Sequence, residues 1–454
     1  MRLYTIIFLL LFFCGCKKVL DAGLPTDKIV SATVYASDAT AASVMTGLYY
    51  TMSSGGPATG NESLSLIAGL SADEYKLVNS DEGLRAVYQN ALTPMMVPAW
   101  AKLFNYIYVA NSALAGLRNS NSLTPAVKSQ LMGEAYFIRA FCYSYLVGLF
   151  GDVPLLLSPD AQNNKLAART NVDKIYEQVV DDLLRARQLM NDQYLRADIS
   201  TLSTDRVRPS KWAVNALLAR VYLYSKKWQE AMAAADSVIN NTSLFELAPI
   251  GNVFLQGSKE AIWQLEPVVA DYTLDGQLFN VDRPVYLSPY LMNVFEKGDR
   301  RKTSWTNKVI VGDSVYYYPY KYKVYEEVKL NPEYLMVLRL GELYLIKAEA
   351  AVNLGDRTTS AMCINAIRER AGLGPMKDTT IAALSVAIQH ERQVELFAEW
   401  GHRWFDLKRV EGLQVVMPEV TKWKGGNWDD YKKLYPIPEN ELQLDRALVQ
   451  NTGY

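Results

Sequence analysis

Pro209-Ser-Lys-Trp-Ala-Val-Asn-Ala-Leu-Leu-Ala-Arg-Val-Tyr-Leu-Tyr-Ser-Lys-Lys-Trp-Gln-Glu-Ala-Met-Ala-Ala-Ala-Asp-Ser-Val-Ile239 reads as two helices joined by a tight turn. Pro209-Ser210 starts the first helix, since proline is tolerated where a helix begins. Ala216, Leu217, Ala219, Tyr222 and Leu223 make it apolar almost all round, which implies burial on several sides. Lys226-Lys227-Trp228 makes the turn. Glu230-Ala231 through Ala235 and Ile239 form the partner helix, whose small residues let the two backbones nest.

Residues 340–371 repeat the pattern. Leu343, Leu345, Ala348 and Ala350 lead to Leu354-Gly355-Asp356, then to Ala361, Asn365 and Ile367. Two such units read as the helix-turn-helix grammar of tetratricopeptide repeats. Outward from them, Trp100 to Leu114 keeps three- and four-residue apolar steps. A second long helix runs from Pro125 to the stop at Gly151-Asp-Val-Pro154. Residues 380–410 predict another long helix, broken at Gly401. The block 244–335 differs: Lys308-Val-Ile-Val-Gly-Asp-Ser-Val-Tyr-Tyr-Tyr318 reads as a hairpin turning at Gly312-Asp313, and the rest as long loop rich in aromatics. Residues 53–95 read as loop with a few short elements, and 411–454 as a coil-rich tail. The expected fold is mainly α: tetratricopeptide-like helical repeats at about 100–240 and 336–410, a loop-rich, aromatic-bearing face and minor β-hairpins, with 35–454 as one unit.

The chain opens Met-Arg-Leu-Tyr-Thr-Ile-Ile-Phe-Leu-Leu-Leu-Phe-Phe-Cys-Gly-Cys16. Arg2 and the apolar run Ile6 to Phe13 fit an export signal and are too short to span a bilayer. Gly15 before Cys16 is what a lipoprotein signal peptidase requires, so residues 1–15 read as leader, Cys16 as the lipidated residue and 16–34 as tether. Cys14 is the rival site, and a secretory leader without lipid the bland alternative. Across 454 residues, 47 basic and 48 acidic side chains leave a net charge of −1, which is no nucleic-acid footprint. Cys142 and Cys363 lie in helix-like apolar stretches and read as buried thiols. Two histidines, His390 and His402, are few for a zinc site or for Ser-His-Asp chemistry. No cofactor and no metal is expected.

Seven further segments carry a resemblance. They are Gly133-Glu-Ala-Tyr-Phe-Ile-Arg139-Ala, running on to Leu149-Phe-Gly-Asp-Val-Pro154; Ser210 to Leu223; Phe295-Glu-Lys-Gly-Asp-Arg-Arg301; Leu338 to Ala350; Glu391-Arg-Gln-Val-Glu-Leu-Phe-Ala-Glu-Trp-Gly-His-Arg-Trp-Phe-Asp-Leu-Lys-Arg409; Tyr435-Pro-Ile-Pro438; and Gln450-Asn-Thr-Gly-Tyr454. In this order, after the lipoprotein-like start, they resemble the SusD/RagB family of outer-membrane lipoproteins. The resemblance implies a non-catalytic protein that captures oligosaccharide, or in some members peptide. It implies an outer-membrane location through the lipid anchor, facing the cell exterior, and a partner TonB-dependent transporter of the SusC type. Lys17 and Lys18 stand where some surface-exported members carry acidic residues.

Glu391, Glu395 and Glu399 recur every four residues and suggest either an acid pair for glycoside hydrolysis or an ion-pair framework pinning the last helices; the framework is the expectation. Arg139, Arg220, Arg339 and Glu349 lie inside apolar helices, and each requires a partner. Of 29 Tyr, 9 Trp and 13 Phe, the rings in the loop blocks are the ligand candidates. Sugar C–H faces pack on such rings while polar groups hold the hydroxyls. The candidates are Tyr75 and Tyr88 with Asp73 and Arg85, then Tyr272, Tyr286 and Trp305, with Trp423 and Trp428 of the tail next. Helical rings such as Tyr143 and Trp212 read as core.

Overall fold

The computed structural model describes residues 33–78, 80–326 and 332–454. The leader, Cys16 and the tether to residue 32 lie outside the described residues.

The helices of seven or more residues are α1 (Asp38–Ser53), α2 (Leu64–Ser71), α3 (Glu82–Tyr88), α4 (Trp100–Asn119), α5 (Pro125–Phe150), α6 (Val172–Leu189), α7 (Lys211–Tyr224), α8 (Trp228–Ile239), α9 (Leu340–Asn353), α10 (Arg357–Arg370), α11 (Ile381–Glu395), α12 (His402–Arg409) and α13 (Leu413–Trp423). From α4 to α11 each helix packs on the next, and α9 touches α11 as well as α10. The fold is the helical scaffold that the two repeat units predict.

The turns of those two units are the same motif. After α7, Lys226 N–H donates to Leu223 O and Lys227 N–H to Tyr222 O. After α9, Gly355 N–H donates to Val352 O and Asp356 N–H to Ala351 O. Both are Schellman closures, in which a left-handed residue lets two orphan carbonyls be capped. Gly355 takes that conformation freely at φ 83°, whereas Lys226 takes it at φ 56° despite its Cβ. On α8 the buried residues are Ala231, Ala234, Ala235 and Val238, a stripe of small side chains that admits α7 and α9 closely.

The strands pair two by two, all antiparallel: β1 (Tyr75–Leu77) with β5 (Val285–Leu287), β2 (Val153–Pro154) with β3 (Arg169–Thr170), β4 (Ala261–Leu265) with β8 (Leu335–Arg339), and β6 (Thr306–Val311) with β7 (Ser314–Pro319). The β6–β7 hairpin turns at Gly312-Asp313, in the register Ile310↔Val315 and Lys308↔Tyr317. Cys142 and Cys363 are buried free thiols.

Three expectations need correction. Residues 64–71 are a helix buried on every side, with Ser63 accepting from Leu66 N–H, although the surrounding glycines and serines suggest loop. The helix expected over 380–410 ends at Glu395; Leu396 to Gly401 form a turn in which Ala398 and Trp400 have positive φ. Gly401 sits at φ 72°, and a Cβ there would lie 2.4 Å from that of Ala68. The tail is less coiled than expected, since α13 packs Leu413, Met417 and Val420 inward.

Candidate functional site

The Glu391–Arg409 segment folds into a buried ionic core. Arg339, at the end of β8, donates to Glu395 (2.6 Å), Glu260 (2.8 Å) and Glu399 (2.8 and 2.9 Å). Arg301 donates to Glu391 (2.8 Å), Glu395 (3.2 Å) and Asp299 (2.8 Å). Arg370 donates to Glu260 (2.8 Å) and Glu395, Arg368 to Glu391 and Glu296, and Lys321 to Glu399. A Cβ on Gly341 would lie 2.4 Å from Arg339 Nη1, so glycine is what lets this guanidinium in. Arg139 holds Asp182, Arg220 holds Glu342, and Glu349 holds Arg409, as their placement in apolar helices requires.

Burial by itself would raise these carboxyls, but their basic neighbours outweigh it. His390 and Arg301 bring Glu391 to about 2, Arg220 and His402 bring Glu342 to about 2, and Arg392 and Arg409 bring Asp406 to about 2. Arg370 and Arg339 hold Glu395, and Arg339 and Lys321 hold Glu399, below the ordinary carboxylate range as well. Each acid of the row is buried and bonded to a basic side chain, the arrangement of an ionic framework. The sign of the linkage is fixed. Each carboxylate contributes stability above its ordinary pKa, near 4, that is lost as pH falls towards about 2. Burial lowers His402 to about 4, so it too loses stability as pH falls from 6.5. Burial raises Glu74 to about 8 and Asp275 and Glu333 to about 6; these oppose the trend down to pH 4.5 for the two glutamates and to 3.8 for Asp275, but not below. Thermal melts at stepped pH will therefore show a steep loss below about pH 4. A melting temperature unchanged from pH 5 to 3 would count against an ionised core.

The candidate rings separate into two groups. Trp305 is 0% exposed. Its Nε1–H donates to Ile250 O (3.0 Å), and Lys321 Nζ lies 4.7 Å from its ring centroid, with Arg370 at 5.5 Å and Arg339 at 5.9 Å. It roofs the ionic core. Tyr75 is also 0% exposed, its hydroxyl on Ser65 O. Tyr88 is buried edge-on against Trp423. Asp73 is buried in a two-bond pair with Arg403 (2.8 and 2.7 Å), while Arg85 is exposed on α3. The premise that loop rings escape the core fails for Tyr75, Tyr88 and Trp305, because contacts distant in sequence enclose them.

Tyr272 and Tyr286 remain half-buried. Tyr272 borders a shallow apolar depression with Leu265, Val268 and Val269. Tyr286 stacks on Tyr316 of β7, with centroids 4.7 Å apart and planes at 18°, and Lys76 Nζ lies 4.8 Å from the Tyr316 centroid. Lys76 is the cross-strand partner of Tyr286 in the β1–β5 pair. Of the tail rings, Trp428 packs on Trp404, while Trp423 is 38% exposed against Tyr290, whose hydroxyl donates to Glu419. The sequence reading missed Tyr316, Lys76 and Tyr290. The run Tyr316-Tyr317-Tyr318 was the available signal, because consecutive strand residues face opposite sides and at least one ring must face outward.

Three larger clefts lie elsewhere among the described residues. One of about 630 Å³ between α4 and the C-terminal region includes Phe104, Asn105, Gln162, Glu441 and Asp445; one of about 390 Å³ includes Tyr224, Trp228, Asn353 and Arg409; one of about 160 Å³ includes Tyr50, Arg208 and Glu266. Among the described residues one group has metal-ligand spacing, Glu296, His390 and Glu391, and Arg368 and Arg301 already occupy its carboxylates.

Comparison with known proteins accounts for this architecture. A model described as the SusD family matches residues 296–454, and one described as starch-binding associating with outer membrane matches residues 26–223. The chain belongs to the SusD/RagB family. SusD-like protein P25 of Formosa agariphila is 25% identical, over 98% of each chain. A SusD superfamily protein from Bacteroides vulgatus superposes with a TM-score of 0.78 at 20% identity, covering 92% of this chain and 100% of that one. Surface glycan-binding protein A from Bacteroides fluxus gives 0.75 at 22% identity, covering 91% and 99%. In this chain the Tyr286–Tyr316 pair lies on β5 and β7, outside the helices of the repeats.

Proposed function

We propose that this SusD/RagB protein is a non-catalytic, lipid-anchored glycan-binding protein of the outer membrane, delivering oligosaccharide to a TonB-dependent transporter of the SusC type. The observation that carries the reading is the half-exposed Tyr286–Tyr316 stack beside Lys76. It joins aromatic surface to a polar group, the usual make-up of a ligand site. The name of the glycan-binding structural relative and the outer-membrane description of the matched family support it. Cys16 is the proposed lipid site and Tyr272 an accessory contact.

An array of glycans and peptides probed with residues 17–454, followed by calorimetry, tests this. Tyr286→Ala and Tyr316→Ala will each weaken glycan binding by about 1–3 kcal/mol, the range of an anchor ring, with the melting temperature nearly unchanged. Binding of peptides alone would redirect the reading, and turnover of labelled oligosaccharide would refute it. Cys16→Ala will release the protein from outer-membrane fractions; lipid incorporation lost instead in Cys14→Ala would move the anchor.

A further inference from the structure

Beyond the stacked pair, β7 and the residue after it carry a pattern that the glycan reading does not use. Tyr316, Tyr318 and Tyr320 alternate along an extended chain, and so point to one side of it. Each ring meets a cation, and the three cations come from three different segments. Lys76 Nζ of β1 lies 4.8 Å from the Tyr316 centroid. Arg283 Cζ, just before β5, lies 4.8 Å from Tyr318, and Lys323 Nζ lies 5.9 Å from Tyr320. Tyr318 and Tyr320 meet edge to face at 6.3 Å and 88°, and Tyr286 extends the row beyond Tyr316.

These cations differ from those of the ionic framework. The guanidinium groups of Arg139, Arg208, Arg220, Arg301, Arg339, Arg368 and Arg370 all grip carboxylates. Among the described residues Lys76, Arg283 and Lys323 form no ion pair within 4 Å, and Lys323 has a carboxylate close by, Glu333, which accepts from its backbone N–H (2.6 Å). Arg283 spends only its Nε–H, on Asn280 O (2.7 Å). All three are half-buried, as are Tyr286, Tyr316 and Tyr320, while Tyr318 lies deeper and serves as support. A ring attracts a cation through its π face without neutralising it, so the charge stays available to an anion. At about 3.3 Å per residue the row from Tyr316 to Tyr320 spans about 13 Å, room for a short oligomer.

We infer that this strip binds an acidic oligosaccharide, one bearing uronate carboxylates or sulfate esters, with Tyr316, Tyr286 and Tyr320 against the sugar faces and Lys76, Arg283 and Lys323 on the anions. The inference rests on the glycan reading above and adds the charge class of its ligand.

Affinity electrophoresis of residues 17–454 tests it in gels containing polygalacturonate, a sulfated galactan, neutral galactan, amylopectin or poly-glutamate. At least one acidic polysaccharide should be bound about tenfold or more tighter than either neutral one, as two charge-assisted contacts allow, and added salt should erode the difference. Which acidic polymer is retained distinguishes carboxylate from sulfate. The double variant Lys76→Gln with Arg283→Gln should lose that advantage while melting like the parent, and Tyr316→Ala should weaken retention by the acidic polysaccharide. Equal retention by neutral and acidic polysaccharides, unchanged in the double variant, overturns the acidic class and leaves the glycan reading standing. Retention by none of the polysaccharides overturns both. Poly-glutamate bound as tightly as the acidic polysaccharide, with no loss in Tyr316→Ala, makes the strip a general anion patch and overturns the inference.

Discussion

Glu395→Ala will destabilise the protein by about 3–5 kcal/mol, the usual result of removing one partner from a buried ionic cluster. Glu395 receives bonds from Arg301, Arg339 and Arg370, and its side chain is wholly enclosed. Its loss leaves three guanidinium groups with Glu260, Glu391, Glu399 and Asp299 as their remaining carboxylates. The desolvation of the cations is then poorly offset. Glu395→Gln keeps the shape without the charge and will fall between parent and alanine variant. Chemical denaturation of the three proteins checks this. A Glu395→Ala protein that melts like the parent yet fails to bind glycan would place this segment in a site instead of the frame.

Trp305→Ala will cost about 3–5 kcal/mol, as large-to-small changes at enclosed aromatic positions do. Here the cavity opens onto charge. The indole lies against Phe254 and over Lys321, Arg370 and Arg339, so water gains access to the cationic side of the core. This reverses the expectation for a loop tryptophan in a ligand site, where binding falls and stability holds. Melting and calorimetry on Trp305→Ala beside Tyr286→Ala separate the two roles. Unchanged melting with lost binding in Trp305→Ala would return that ring to the site.

The helical scaffold was legible because a helix writes its buried face every three or four residues, as in Ala231, Ala234, Ala235 and Val238. The partners of the framework charges could be anticipated in kind but not by name. Arg339 needed acids, yet only the fold brings Glu260, 79 residues away, to it. The loop rings were the opaque part. Nothing local distinguishes Trp305 from Tyr286: both follow polar, turn-rich sequence, and their burial is decided by Ile250 and Phe254 in one case and by Tyr316 in the other. Residues 64–71 were misread for the same reason, since glycine and serine are loop formers until a core closes over them.

The ionic core also bears on how the chain acquires its structure. Arg301, Arg339 and Arg370 precede Glu391, Glu395 and Glu399 in the chain, and Asp73 waits for Arg403, 330 residues later. A polypeptide delivered N-terminus first thus exposes these charges to water until nearly nine-tenths of it has arrived. Contacts of such long sequence separation fold slowly, because loop closure precedes any reward. The last quarter of the chain therefore acts as a latch on the middle. A chain ending before Glu391 will be cut by protease along residues 244–326, where the 454-residue chain will resist; equal digestion of the two would count against the latch.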